Sequence, residues 1–72
     1  MNFSSLVARV GTYVVTPLIS SDESGAYRAS VSVRRGSHDR IFRFSDRFSS
    51  GLNAAVFAAQ QGRQLVLGKQ LG

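Results

Sequence analysis

Between Ala26 and Arg35 the hydrophobic and polar positions alternate. Tyr27, Ala29, Val31 and Val33 share one parity, and Arg28, Ser30, Ser32 and Arg34 share the other. A period of two is that of a half-buried strand with one dry face and one wet face. Gly36-Ser37-His38 follows and has the length of a hairpin turn. Residues 39–45, DRIFRFS, read as the returning strand, with Phe42 and Phe44 on one side and Ile41 and Arg43 on the other. Upstream, TYVVTPLI at 12–19 is rich in β-branched and aromatic residues and predicts another strand. Pro17 cannot donate a ladder hydrogen bond, which places that strand at an edge or bends it there. SSDESG at 20–25 is a turn by composition.

After Phe48 the period changes. Ser49 or Ser50 has the chemistry of a helix N-cap, LNAAVFAAQQ continues as helix, and Gly62 with Arg63 beside it suits a helix end. On a helical wheel Leu52, Ala55, Val56 and Ala59 share one side. Phe57 falls away from that side, near Ala54 and Gln61, and marks an interaction surface. Its cover would be the N-terminal segment, the C-terminal tail or a second copy of the chain. RQLVLGKQLG at the C-terminus either adds a helical turn or folds back as an extended tail. In residues 1–10, Phe3, Leu6, Val7 and Val10 carry the stripe of an amphipathic helix. Ten residues are marginal for a helix in water, so an end leading into a strand is an equal reading.

The expected fold is α+β: a three-stranded antiparallel sheet with one C-terminal helix packed on one face (β-β-β-α), with a short N-terminal helix as an option. The chain is one small domain, ordered over about residues 11–66. Nothing remains to cover the second sheet face.

Charge changes the picture of that face. The formal charge is +5, from eight arginines, Lys69 and four acidic residues. The planar guanidinium suits phosphate and carboxylate partners. Alternation sends Arg28, Arg34 and Arg43 to the uncovered face with Ser30 and Ser32 between them. Arg35, Arg40 and Arg47 fall at the turn and at the strand-to-helix corner. These eight residues are the candidate nucleic-acid-binding set, for DNA or RNA. The plainer alternative is a solvated face whose charges keep the sheet soluble and its edges unpaired. A homodimer or another protein partner, met through the uncharged helix, is the second candidate.

Catalytic chemistry finds little support. His38, the single histidine, sits beside Asp39 with no convergent nucleophile. Asp22 and Glu23 share a loop without an apolar pocket around them. With no cysteine and no metal-ligand spacing, no metal, cofactor or small-molecule substrate is expected, and no enzyme activity. No apolar run reaches membrane length, and no basic region precedes the N-terminal apolar residues, so a cytoplasmic protein is expected.

Two resemblances follow from these residues. The stretch from Ala26 to Gly62 resembles small uncharacterised bacterial β-β-β-α proteins. They share a G-x-Y-x-A-x-V-x-V strand (Gly25, Tyr27, Ala29, Val31, Val33) and an aromatic third strand (Ile41, Phe42, Phe44). An alanine-rich helix ending in Gly-Arg follows (Ala54, Ala55, Ala58, Gly62, Arg63). That resemblance implies a fold and no activity. Phe48-Ser49-Ser50 followed by Ala54-Ala55 is similar to AP2-type and phage-integrase arm-type DNA-binding domains, which set a three-stranded sheet in a DNA groove. The tryptophans typical of AP2 domains are absent. The double-stranded-RNA-binding domain has a similar strand order but lysines at the start of its last helix, where Ser49, Ser50, Gly51 and Asn53 stand here.

Overall fold

The computed structural model describes residues 6–68. The chain forms β1 (Ala8–Val10), β2 (Tyr13–Ser21), β3 (Tyr27–Arg35), β4 (His38–Phe48) and α1 (Gly51–Leu67). The strands make one antiparallel sheet in the order β1-β2-β3-β4. The sheet is therefore four-stranded, not three-stranded. The extra strand is Ala8–Val10, part of the segment whose apolar stripe suggests a helix. Phe3 of that stripe lies outside the described residues. Three residues of strand suffice because Gly11, at φ +62°, lets the chain reverse in two residues and pair Val10 with Tyr13. Gly36, at φ +61°, does the same between Arg35 and His38.

β1 also revises the place of Pro17. β2 is an interior strand only over Tyr13–Val15, where β1 pairs with it. From Thr16 onward no described strand pairs with its outer side. Pro17 stands on that stretch, paired with Val31 on the inner side. A residue without an N–H is tolerated there because no outer strand among the described residues asks for one.

The helix begins at an N-cap made by Ser50, whose hydroxyl accepts from the Asn53 N–H at 3.1 Å. It runs through Gly62 and Arg63 and ends at Gly68, whose N–H donates to the Gln64 carbonyl at 2.8 Å. Gly62 is not a cap. Its role is contact: a Cβ there would lie 2.4 Å from Cγ1 of Val15 and 2.7 Å from Cγ2 of Val31. The helix rests on the sheet through Gly51, Ala54, Ala55, Ala58 and Gly62, all buried. The sheet answers with Val15, Ala29, Val31 and Val33.

The buried helix face is thus the small-residue face, and not the side holding Leu52 and Val56. Those two are 55% and 37% exposed. Turned inward, their bulk would hold the helix off the sheet. Small residues at the seam let it approach, and larger side chains close the flanks. Phe57 is one of these. It meets Phe44 edge-on with ring centres 5.2 Å apart and Phe48 at 5.0 Å. Such pairs add about 0.5–1.5 kcal/mol each beyond burial. Phe57 is a clamp between helix and β4, and Ala54 is fully buried beneath the helix.

Candidate nucleic-acid interface

Directly paired residues of an antiparallel sheet share a face. The helix claims the parity of Val15, Val31 and Val33, so the register fixes what the other face presents. Its first row is Arg9, Val14, Arg34 and Asp39. The second is Thr16, Ser32 and Ile41. Leu18, Ser30 and Arg43 form the third, and Ser20, Arg28 and Arg47 the last. Five arginines therefore stand on one face, three at one end and two at the other.

Of the eight residues nominated from the sequence, Arg28, Ser30, Ser32, Arg34, Arg43 and Arg47 share this face. Arg35 and Arg40 do not. They pair with His38 and Val33 and take the helix-side parity. Arg35 sets its guanidinium carbon 5.4 Å from the centre of the Tyr13 ring. Arg40 is exposed on β4. Arg9 joins the face unforeseen, because its segment does not read clearly as strand. The two-residue spacing from Val10 over Gly11-Thr12 to Tyr13 is the signal that would have placed it.

The aromatic side chains take the other side. Tyr13, Tyr27, Phe42, Phe44, Phe48 and Phe57 all pack against the core. The open face keeps Val14, Leu18 and Ile41 as its apolar groups, the last two 39% and 41% exposed. Asp39 is the strand carboxylate whose register places it on this face. Its Oδ1 accepts a short hydrogen bond from the Ser32 hydroxyl. Asp39 also stands directly opposite Arg34, so the positive charge at that end is partly offset. A shallow depression between the two hairpin turns is lined by Arg9, Thr12, Val14, Arg34 and Gly36.

At the opposite end Arg28 and Arg47 are direct cross-strand partners. A register shift separates that pair from Ser30–Arg43, with residues 44–46 of β4 facing Ala29 alone. Arg47 Nε lies 3.8 Å from Asp22 Oδ2, the one ion pair among the described residues. Asp22 is chiefly a turn residue. Its Oδ1 accepts from the Ser24 hydroxyl at 2.6 Å, the Ser24 N–H at 2.9 Å and the Ala26 N–H at 3.1 Å. The Ser24 hydroxyl does most to hold the Asp22 carboxyl below its usual range. Backbone donors and Arg47 add to this against some desolvation.

His38 is exposed at the start of β4. No group of three or more His, Asp or Glu side chains among the described residues is placed to hold a metal. No helix among them is long and apolar enough to cross a membrane. Comparison with protein-family models, curated proteins and solved structures found no match to the chain.

Proposed function

We propose that the protein is a non-catalytic, cytoplasmic binding module whose open sheet face meets nucleic acid, DNA or RNA, in double-helical form. The observation that carries this reading is the division of side chains by the sheet. Arg9, Arg28, Arg34, Arg43 and Arg47 share the face that no described element covers, and the described aromatics are on the other. Guanidinium groups interleaved with serine and threonine hydroxyls match a phosphate backbone. Single-stranded bases need aromatic platforms, and the described residues bring none to this face. Fluorescence anisotropy with a labelled mixed-sequence duplex tests it. Each phosphate neutralised contributes about −0.9 to the slope of log K against log salt. Five arginines set a slope no steeper than about −4.5. Replacing Arg28, Arg34 and Arg43 with glutamine should flatten it by about 2.7. Absence of binding at low salt would refute the proposal.

A second reading has its own observation. Leu52, Val56 and Leu67 lie on one outer flank of the helix and are exposed at 55%, 37% and 60%. This flank, rather than Phe57 and Ala54, is where a second copy or another protein would dock. Sedimentation of the wild type and of Leu52→Asp distinguishes the two. A concentration-dependent dimer lost in Leu52→Asp supports self-association. A monomer at millimolar concentration excludes it.

A further inference from the structure

We infer that Arg28, Arg43 and Arg47, with the Ser30 hydroxyl, form a discrete site for a doubly charged phosphate group at the bulged end of the open face. The site contains an unfavourable contact. Arg28 and Arg47 are directly opposed across β3 and β4. Like charges in that position repel, at side-chain separations of about 5 Å. Arg43 adds a third positive charge on the same face, opposite Ser30 and two residues along β3 from Arg28. Asp46, in the bulged stretch, forms no ion pair with these arginines among the described residues. Asp22 is the acid that approaches, through Arg47 alone, at 3.8 Å. Its other oxygen is already occupied by Ser24 and Ala26. Two of the three guanidiniums thus lack a carboxylate partner among the described residues.

The local backbone supports the cluster. The register shift falls between Arg28 and Ser30 and lets residues 44–46 bulge. Bulges redirect side chains and recur beside binding sites. Here the bulge brings Arg47 back into register opposite Arg28 on the face that carries Arg43. The other end of the face differs. There Arg34 is opposed by Asp39, and Arg9 and Arg34 are separated by Val14. An anion carrying two charges and several acceptor oxygens satisfies three guanidiniums better than a single phosphodiester charge does. The group has two sources, free inorganic phosphate or the terminal phosphate of a nucleic acid. The first needs no nucleic-acid binding at all.

The test is an NMR titration of the intact protein with inorganic phosphate, against chloride at matched ionic strength. Amide and arginine Nε signals of residues 28, 30, 43 and 47 should shift and saturate together, leaving Arg9, Arg34 and Arg63 unmoved. Thermal melts supply the second readout. Phosphate at ten times its dissociation constant should raise the wild-type midpoint by several degrees. Arg28→Gln should be at least as stable as wild type without phosphate, because the like-charge pair is relieved, and should lose the phosphate-specific rise. Arg43→Gln should lose the rise too. Equal shifts at all arginines, or a rise retained in both variants, would overturn the inference. A short duplex with and without 5′-phosphates separates the sources. Tighter binding of the phosphorylated form assigns the site to nucleic-acid ends, and equal binding assigns it to the free anion. A duplex that binds across the face while phosphate moves nothing defeats this inference and spares the proposed function. The reverse result defeats the proposed function alone.

Discussion

Gly62→Ala tests the packing of the helix on the sheet. The added Cβ would sit 2.4 Å from Val15 Cγ1 and 2.7 Å from Val31 Cγ2. Ordinary carbon contacts are about 3.5–4.0 Å, so the overlap is about 1 Å at two points. Neither valine can yield easily. They are 1% and 0% exposed, and a β-branched side chain has few alternative rotamers. The helix must lift, which loosens Ala54, Ala55 and Ala58. Overpacking costs about 1–3 kcal/mol, and two rigid contacts argue for the upper end. Alanine returns about 1 kcal/mol of helix propensity over glycine. The net loss is about 2 kcal/mol, a large share of the stability of a domain this size. It lowers the melting midpoint by about 8–16 °C. Urea unfolding followed by circular dichroism measures it, with Gln60→Ala on the exposed helix surface as the control for propensity. Adding Val15→Ala makes room for the Cβ, so the double variant should be more stable than the sum of the two losses by at least about 0.5 kcal/mol. A Gly62→Ala protein as stable as wild type would refute the close approach.

Three further outcomes follow from the same geometry. Phe57→Ala removes both aromatic contacts with β4 and should cost about 2–3 kcal/mol in a chemical melt, somewhat less than a fully buried phenylalanine. Ser50→Ala removes the N-cap and should cost about 1 kcal/mol, with the loss recovered by Asp at the same position. The folded-state pKa of Asp22 is lowered by its hydrogen bonds, so its contribution to stability is present above the unfolded value of about 3.8. It is lost as pH falls through the folded value. Asp22→Asn should therefore lower the urea midpoint by a nearly constant amount above about pH 5 and flatten the stability profile below it, so that the variant and wild type converge in acid.

The strands around the β3–β4 hairpin were legible because one face is dry and the other wet. Tyr27 to Arg34 alternates without a break, and Phe42 and Phe44 fall on the side that receives the helix. Ala8–Val10 was not legible. A three-residue strand has no period of its own, and its neighbours Leu6 and Val7 complete a helical stripe by coincidence. The existence of the helix is legible in the sequence, but its buried face is not. Weighting by hydrophobicity favours Leu52 and Val56, whereas close packing on a valine sheet selects glycine and alanine. Gly62 shows the same inversion, since a glycine that reads as a stop is instead the point of nearest approach. Six of the eight nominated residues follow the alternation onto the open face. Arg35 and Arg40 do not, because pairing across a two-residue turn assigns them the opposite parity.

The open sheet face, and not the helix, is proposed to meet nucleic acid. Amide shifts recorded during titration with a mixed-sequence duplex at low salt test it most directly. Shifts are expected at residues 28–34 and 41–47, and at Arg9, that reverse as salt is raised, with the helix amides from Leu52 to Gln64 unmoved. Shifts confined to the helix flank of Leu52 and Val56, or none on either side, would contradict it.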